Sequence, residues 1–142
     1  MERDGRDVMS DQGPIRVLVV DDHVVVREGL SALIDSWPEM SVVGEASDGL
    51  EAVDKAACLA PDVVLMDLVM PEMDGIEATR RIRESRPESK VIVLSSFTDD
   101  EKIFAAIRAG AIGYLLKDIS PAELASSIRA VVQGKTQLHP DI

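Results

Sequence analysis

Five short, almost unbroken apolar runs alternate with five amphipathic stretches along this chain, and that rhythm constrains the fold more than any single residue does. The runs are Arg16–Val20, Ser41–Glu45, Val63–Met66, Val91–Leu94 and Tyr114–Leu116. The amphipathic stretches are Val24–Trp37, Leu50–Ala60, Gly75–Ser85, Asp100–Ala109 and Pro121–Gln133. A strand apolar at successive positions, rather than at alternate ones, is buried on both faces. Strands of that kind separated by helices build a parallel sheet covered on both sides. The chain therefore reads as an α/β, doubly wound domain.

Helical periodicity predicts which faces are buried. In the first helix Val26, Leu30, Leu33, Ile34 and Trp37 fall together, with Arg27, Glu28, Ser31 and Asp35 opposite. In the fourth, Ile103, Ala106 and Ile107 face inward and Phe104 lies to the side. In the last, Leu124, Ile128 and Val131 form the stripe. Ser120 is the N-cap, Pro121 the first helical residue and Glu123 the partner in a capping box, with Gly134 ending the helix. Cys58 is expected to be partly buried beside the second helix's stripe. Met66, Met70 and Met73 are expected to pack around a loop, and Gly75 to serve a sharp loop-to-helix transition.

Composition narrows the function. The 142 residues suit one core, and an apolar fraction of 46% excludes a disordered chain. A net charge of −11 argues against binding of DNA, RNA or anionic membrane by this segment, since phosphate backbones attract basic surfaces. The single cysteine precludes an internal disulfide and fits a reducing, cytoplasmic setting. No apolar run approaches the roughly 18 residues of a membrane span. Residues 1–13 are polar, lack a signal-peptide core and are expected to be a disordered lead-in.

The chemistry-bearing residues share one location. Asp21 and Asp22 end the first strand, Asp67 the third, Ser95 and Ser96 the fourth, and Lys117 the fifth. In an open parallel sheet, ligands bind at the carboxyl ends of strands, where the strand order reverses. Three carboxylates gathered there repel one another and call for a hard divalent cation with oxygen ligands, of which Mg²⁺ is the fitting one. Such a cation neutralises an incoming phosphoryl group. A carboxylate can act as nucleophile and form an acyl phosphate, a lysine can pair with phosphate oxygens, and a serine can donate to them. His23, beside the two acids, reads as an exposed residue at the helix entry, and His139 in the tail carries no signal.

These residues carry a resemblance. Val19-Val20-Asp21-Asp22-His23, Val26-Arg27-Glu28-Gly29-Leu30, Met66-Asp67-Leu68-Val69-Met70-Pro71 with Met73-Asp74-Gly75, Leu94-Ser95-Ser96-Phe97 and Tyr114-Leu115-Leu116-Lys117 resemble a bacterial two-component response-regulator receiver domain. The subfamily resembled is the LuxR/NarL type, and the likeness runs from Ile15 to Leu138. It implies a flavodoxin-like (βα)5 fold, a five-stranded sheet of order 2-1-3-4-5. Residues 14–134 would be the receiver, and 135–142 the start of a linker to a helix-turn-helix output domain absent from this chain. Asp67 would accept a phosphoryl group from a sensor histidine kinase. Asp21, Asp22, Asp67 and the Val69 backbone carbonyl would hold Mg²⁺, and Lys117 and Ser95 would contact the phosphoryl group. Ser95 and Tyr114 would form the switch.

The resemblance implies control of transcription through the output domain, with DNA bound only there and no membrane partner. Homodimers would form through the fourth helix, fifth strand and fifth helix, or through the first and fifth helices. It also implies a signalling domain rather than an enzyme, with only slow self-catalysed phosphorylation and dephosphorylation. Three rivals stand beside it. A Mg²⁺-dependent phosphatase with an aspartyl nucleophile would carry a second acid two residues after Asp67, where this chain has Val69. A stand-alone receiver would act through protein partners. A flavin or nucleotide carrier would need a glycine-rich loop after the first strand, and none is present. Val69 and Phe97 flank the expected path of a hydrolytic water, and both are apolar, which predicts a long-lived acyl phosphate.

Overall fold

A computed structural model describes residues 13–139 and 142; the expected lead-in, apart from Gly13, lies outside the described residues. Strands β1 (Ile15–Val20), β2 (Met40–Ala46), β3 (Val63–Met66), β4 (Lys90–Ser95) and β5 (Gly113–Leu116) alternate with helices. These are α1 (Val24–Asp35), α2 (Gly49–Leu59), α3 (Gly75–Ser85), α4 (Asp100–Arg108) and α5 (Pro121–Val132). All strand pairs are parallel, in the order β2-β1-β3-β4-β5, as expected.

A sixth strand, β6 (Gln137–Leu138), extends the sheet beside β5. It lies in the segment that reads as linker in the sequence, so the five-stranded expectation needs this addition. The physical reason is the open edge of β5. Gln137 N–H donates to the Ile112 carbonyl at 3.0 Å and His139 N–H to the Tyr114 carbonyl at 2.9 Å. Unpaired backbone groups on a sheet edge are costly when covered, and two residues suffice to satisfy them. Two residues are also too few to show a hydrophobic period. His139 thus anchors the tail, and its side chain is only 12% exposed.

The sheet separates two apolar layers. Val17, Val19, Val63, Leu65, Ile92, Leu94 and Leu115 pack under α1 and α5, against Ile34, Leu124, Ile128 and Val131. On the opposite face Leu18, Val20, Val64, Met66 and Val91 meet α2 and α3, while Val93, Tyr114 and Leu116 meet α4. Successive strand residues go to opposite layers, which is why the runs are apolar throughout. One bulge interrupts β2, where Val17 pairs Val42 but Leu18 pairs Gly44.

Local signals set the helix ends. Asp48, Asp74 and Ser120 accept from the backbone N–H of Glu51, Glu77 and Glu123, three residues into α2, α3 and α5. The α5 box is closed at the serine hydroxyl, which lies 3.3 Å from Glu123 Oε1. The Arg16 side chain donates to the Leu59 and Ala60 carbonyls at the end of α2, where Ala60 takes a positive φ of 48°.

Three burial expectations are corrected. In α1 the inward face includes Ser31 and half-buried Arg27, whereas Val26 is exposed. Leu30, Leu33, Ile34 and Trp37 pack on the core as expected, and Arg27 and Ser31 join the covered side in place of Val26. Ile107 is 40% exposed, since α4 is short and only Ile103 and Ala106 reach the sheet. Cys58 is exposed, one residue pair past the buried Ala52 and Ala56 that face the sheet. The three methionines are buried, as expected.

Candidate functional site

The reversal of strand order between β1 and β3 opens a crevice at their carboxyl ends. Asp21 follows β1 directly and stays in register through Asp21 N–H to the Ala46 carbonyl, 3.0 Å; Asp67 does the same after β3 through the Val20 carbonyl, 3.1 Å. Both carboxylates are therefore held on continuations of the two central strands, and both are buried. Asp22 is partly exposed beside them.

The loop after Asp67 is shaped by close backbone contact. Gly75 N–H donates to the Leu68 carbonyl at 2.8 Å, folding the segment 68–74 back on itself. A Cβ on Gly75 would stand 2.1 Å from the Asp67 carbonyl oxygen, so only glycine fits. Close approach, not an unusual φ, is the reason for this glycine. The loop presents Val69, 55% exposed, at the mouth of the site.

Lys117 reaches back across β4 from the end of β5. Its Nζ lies 3.2 Å from Asp21 Oδ2 and 3.2 Å from Asp67 Oδ1, bridging the two buried acids. Burial pulls the lysine's pKa down, but the charges of Asp67 and Asp21 more than reverse this and raise it. Burial, with the Asp21 charge adding to it, raises the Asp67 carboxyl above the usual range despite Lys117. Burial acts the same way on Asp21, yet hydrogen bonds from His23 and Lys117 outweigh it and lower that group. The two acids are thus electrostatically distinct: Asp21 is the committed anion and Asp67 the strained one.

Donor atoms of Asp21, Asp22, His23 and Asp67 lie within 4.8 Å of one another. Asp22 Oδ1 is buried without a hydrogen bond among the described residues. A buried carboxylate oxygen with no hydrogen bond, beside two other acids, fits a hard cation bound through oxygen. His23 is solvent-exposed as expected, but its Nδ1 stands 2.9 Å from Asp21 Oδ1 and 3.2 Å from Asp22 Oδ1, a contact the sequence reading missed. A cleft of about 300 Å³ opens above the acids, lined by Asp22, His23, Asp67, Val69, Ser96, Phe97 and Lys117.

Ser96, not Ser95, lines that cleft. Ser95 is buried, and its Oγ accepts from Phe97 N–H at 3.0 Å. Tyr114 is fully buried, and its hydroxyl donates to the Phe97 carbonyl at 2.9 Å. Burial raises the phenol's pKa, against a hydrogen bond with Ser95. Ser95, Phe97 and Tyr114 are therefore linked at the end of β4, and Tyr114 already points inward. Arg27, placed by periodicity on the outer face of α1, instead donates through Nε to Glu45 Oε1 and through Nη1 to the Asp21 carbonyl. Its spacing with Leu30, Ser31 and Ile34 was the available signal.

Comparisons with known proteins agree with this geometry. The response regulator receiver domain profile matches residues 17–129. The transcriptional regulatory protein LiaR of Bacillus subtilis is 52% identical over 128 residues, 90% of this chain and 61% of LiaR. The response regulator VraR of Staphylococcus aureus is 41% identical over the same shares. This chain thus spans less than two thirds of the length of these curated relatives. A LuxR-family response regulator from Aurantimonas superposes with a TM-score of 0.86 at 39% identity, over 92% of this chain and 93% of that one. The receiver domain of NarL from Mycobacterium tuberculosis gives 0.83 at 32% identity, over 87% and 99%. No helix among the described residues is long and apolar enough to cross a membrane.

Proposed function

This chain belongs to the response regulator receiver family, of the LuxR/NarL type, and on that premise we propose that Asp67 is its phosphoryl acceptor. The observation that carries the proposal is Lys117 bridging Asp21 and Asp67 at 3.2 Å, with the buried Asp22 oxygen, which accepts no hydrogen bond among the described residues, alongside. Asp21, Asp22, Asp67 and the Val69 carbonyl would hold Mg²⁺. When bound, the ion neutralises the oxygens of the transferring group.

Asp67 attacks phosphorus in line with its carboxylate oxygen. The new O–P bond forms as the donor's bond to phosphorus breaks, and the donor group leaves with that electron pair. Lys117 exchanges one carboxylate contact for a phosphoryl oxygen. The donor is a sensor histidine kinase. Burial, the neighbouring acid and Lys117 supply position and charge balance; the domain is a signalling acceptor with slow self-catalysis rather than a turnover enzyme. Val69 stands where a phosphatase of this kind would need an acid.

Phosphorylation replaces the single carboxylate charge by a phosphoryl group carrying about −1.5 to −2 and new acceptor oxygens. Ser95 would give up its contact with Phe97 N–H to donate to the new oxygens. Tyr114, tied to Phe97 and Ser95, would then settle in a different balance of rotamers. Residues 14–134 are the receiver in this reading. The change reaches a LuxR-type DNA-binding output domain, and dimers form through α4–β5–α5 or α1–α5.

The test is intact-mass analysis after incubation with Mg²⁺ and acetyl phosphate, with Asp67→Asn as control. The reading expects one acid-labile phosphoryl group on the wild type and none on the variant. Label persisting on the variant would refute it. Sustained release of inorganic phosphate over many turnovers would establish the phosphatase instead.

A further inference from the structure

We infer that Arg27, locked by Glu45, is a positioning residue for the cation site, setting the orientation of Asp22 through the Asp21–Asp22 peptide. The inference rests on the reading of the acidic cluster as a Mg²⁺ site. Three fixings hold the Asp21 segment. Its N–H is in the sheet ladder, its Oδ1 accepts from His23 N–H at 2.8 Å, and its carbonyl oxygen accepts from Arg27 Nη1 at 2.8 Å. The first two fix Asp21 itself. The third fixes the plane of the peptide that leads into Asp22, because that carbonyl belongs to the same rigid unit as the Asp22 nitrogen.

Asp22 has only a weak anchor of its own: the exposed His23 ring, whose Nδ1 lies 3.2 Å from Asp22 Oδ1 but closer, 2.9 Å, to Asp21 Oδ1. Its Oδ1 is buried without a hydrogen bond among the described residues, so apart from that solvent-exposed imidazole the carboxylate depends on its backbone for orientation. Rotation of the preceding peptide swings its Cα–Cβ direction. Arg27 prevents that rotation, and its guanidinium is itself prevented from moving by the 2.9 Å contact between Nε and Glu45 Oε1 on β2. The arginine side chain is 15% exposed, which keeps this fork from dissolving into solvent as surface pairs do. Two donors in a fixed plane, one on a carboxylate and one on a carbonyl, tie α1, β1 and β2 together beneath the acids. A lysine offers a single mobile point charge and cannot hold both.

The experiment is Mg²⁺ titration by calorimetry, with no phosphodonor present, of wild type, Arg27→Gln, Arg27→Lys and Glu45→Gln. Supporting partners behind metal ligands are typically worth roughly 10–100-fold in affinity. Arg27→Gln is therefore expected to weaken Mg²⁺ binding at least about tenfold. Arg27→Lys and Glu45→Gln are expected to fall between it and wild type. In acetyl phosphate labelling the half-saturating Mg²⁺ concentration rises in the same order, more than the maximal rate falls. A merely structural role would lower the unfolding midpoint and leave the affinity of the folded protein unchanged. Mg²⁺ affinity within twofold of wild type in folded Arg27→Gln, or in Arg27→Lys should the glutamine variant not fold, overturns the inference. Absence of Mg²⁺ binding by wild type overturns the reading of the site, and this inference with it.

Discussion

Replacing Asp67 with asparagine is expected to stabilise the metal-free protein. The Asp67 carboxylate has donor-atom separations of at most 4.8 Å from Asp21 and Asp22, and Lys117 stands 3.2 Å away. At an effective dielectric constant of about 20, each like-charge pair costs about 3.5 kcal/mol and the lysine contact contributes about 5 kcal/mol. Removing the charge therefore relieves about 2 kcal/mol, before counting the burial cost of the anion. Asparagine keeps an oxygen for Lys117. In a domain of this size the midpoint of thermal unfolding should rise by roughly 6 °C.

The sign depends on pH and metal. Burial and Asp21 raise the Asp67 pKa above its ordinary 3.8. A raised acid favours folding while it is protonated, and that contribution is lost as pH climbs through the folded-state value. The advantage of Asp67→Asn should accordingly be larger at pH 7 and shrink as pH falls toward 3.8, as more of the wild type carries the proton too. Saturating Mg²⁺ should reverse it, because the ion stabilises the wild-type cluster by mass action. The assay is thermal unfolding of both proteins at pH 7 and pH 4.5, in EDTA and in Mg²⁺. Equal midpoints in EDTA at pH 7, or an advantage indifferent to both pH and Mg²⁺, would refute the electrostatic account.

Other perturbations separate the remaining parts of the site. Lys117→Met leaves two buried acids without their shared cation and should cost about 3 kcal/mol in urea unfolding with EDTA, partly restored by Mg²⁺. Gly75→Ala drives a Cβ into the Asp67 carbonyl and should cost about 2 kcal/mol or more, read as a lowered urea midpoint and weaker Mg²⁺ binding. Val69→Asn combined with Phe97→Glu places polar groups on the cleft above Asp67 and should shorten the acyl-phosphate lifetime about tenfold, followed by loss of acid-labile label; an unchanged lifetime would refute the role assigned to those apolar side chains.

Much of this molecule was legible in the residue order. The five apolar runs correspond to β1–β5 within about two residues. The acids and the lysine sit at strand ends, and a parallel sheet carries all such ends to one edge. Residue order also marked the cap at Ser120 and the loop-to-helix transition at Gly75, because both are local; the close approach to the Asp67 carbonyl that requires the glycine came from the fold.

What the tertiary structure alone decided was where long or isolated polar groups go. Periodicity reports whether a face meets apolar neighbours; it is silent on a guanidinium that reaches a carboxylate on β2 and the Asp21 carbonyl, so it puts Arg27 on the wrong face. It cannot see two residues completing the edge of β5, because that pairing depends on a strand more than twenty positions away in the chain. Nor can it choose between Ser95 and Ser96 for the cleft, since adjacent residues on a strand end point to opposite sides and the loop that follows decides which one is covered. Local order determined the scaffold and the acids it gathers; the non-local contacts of Lys117, Arg27 and the tail determined how those acids are held.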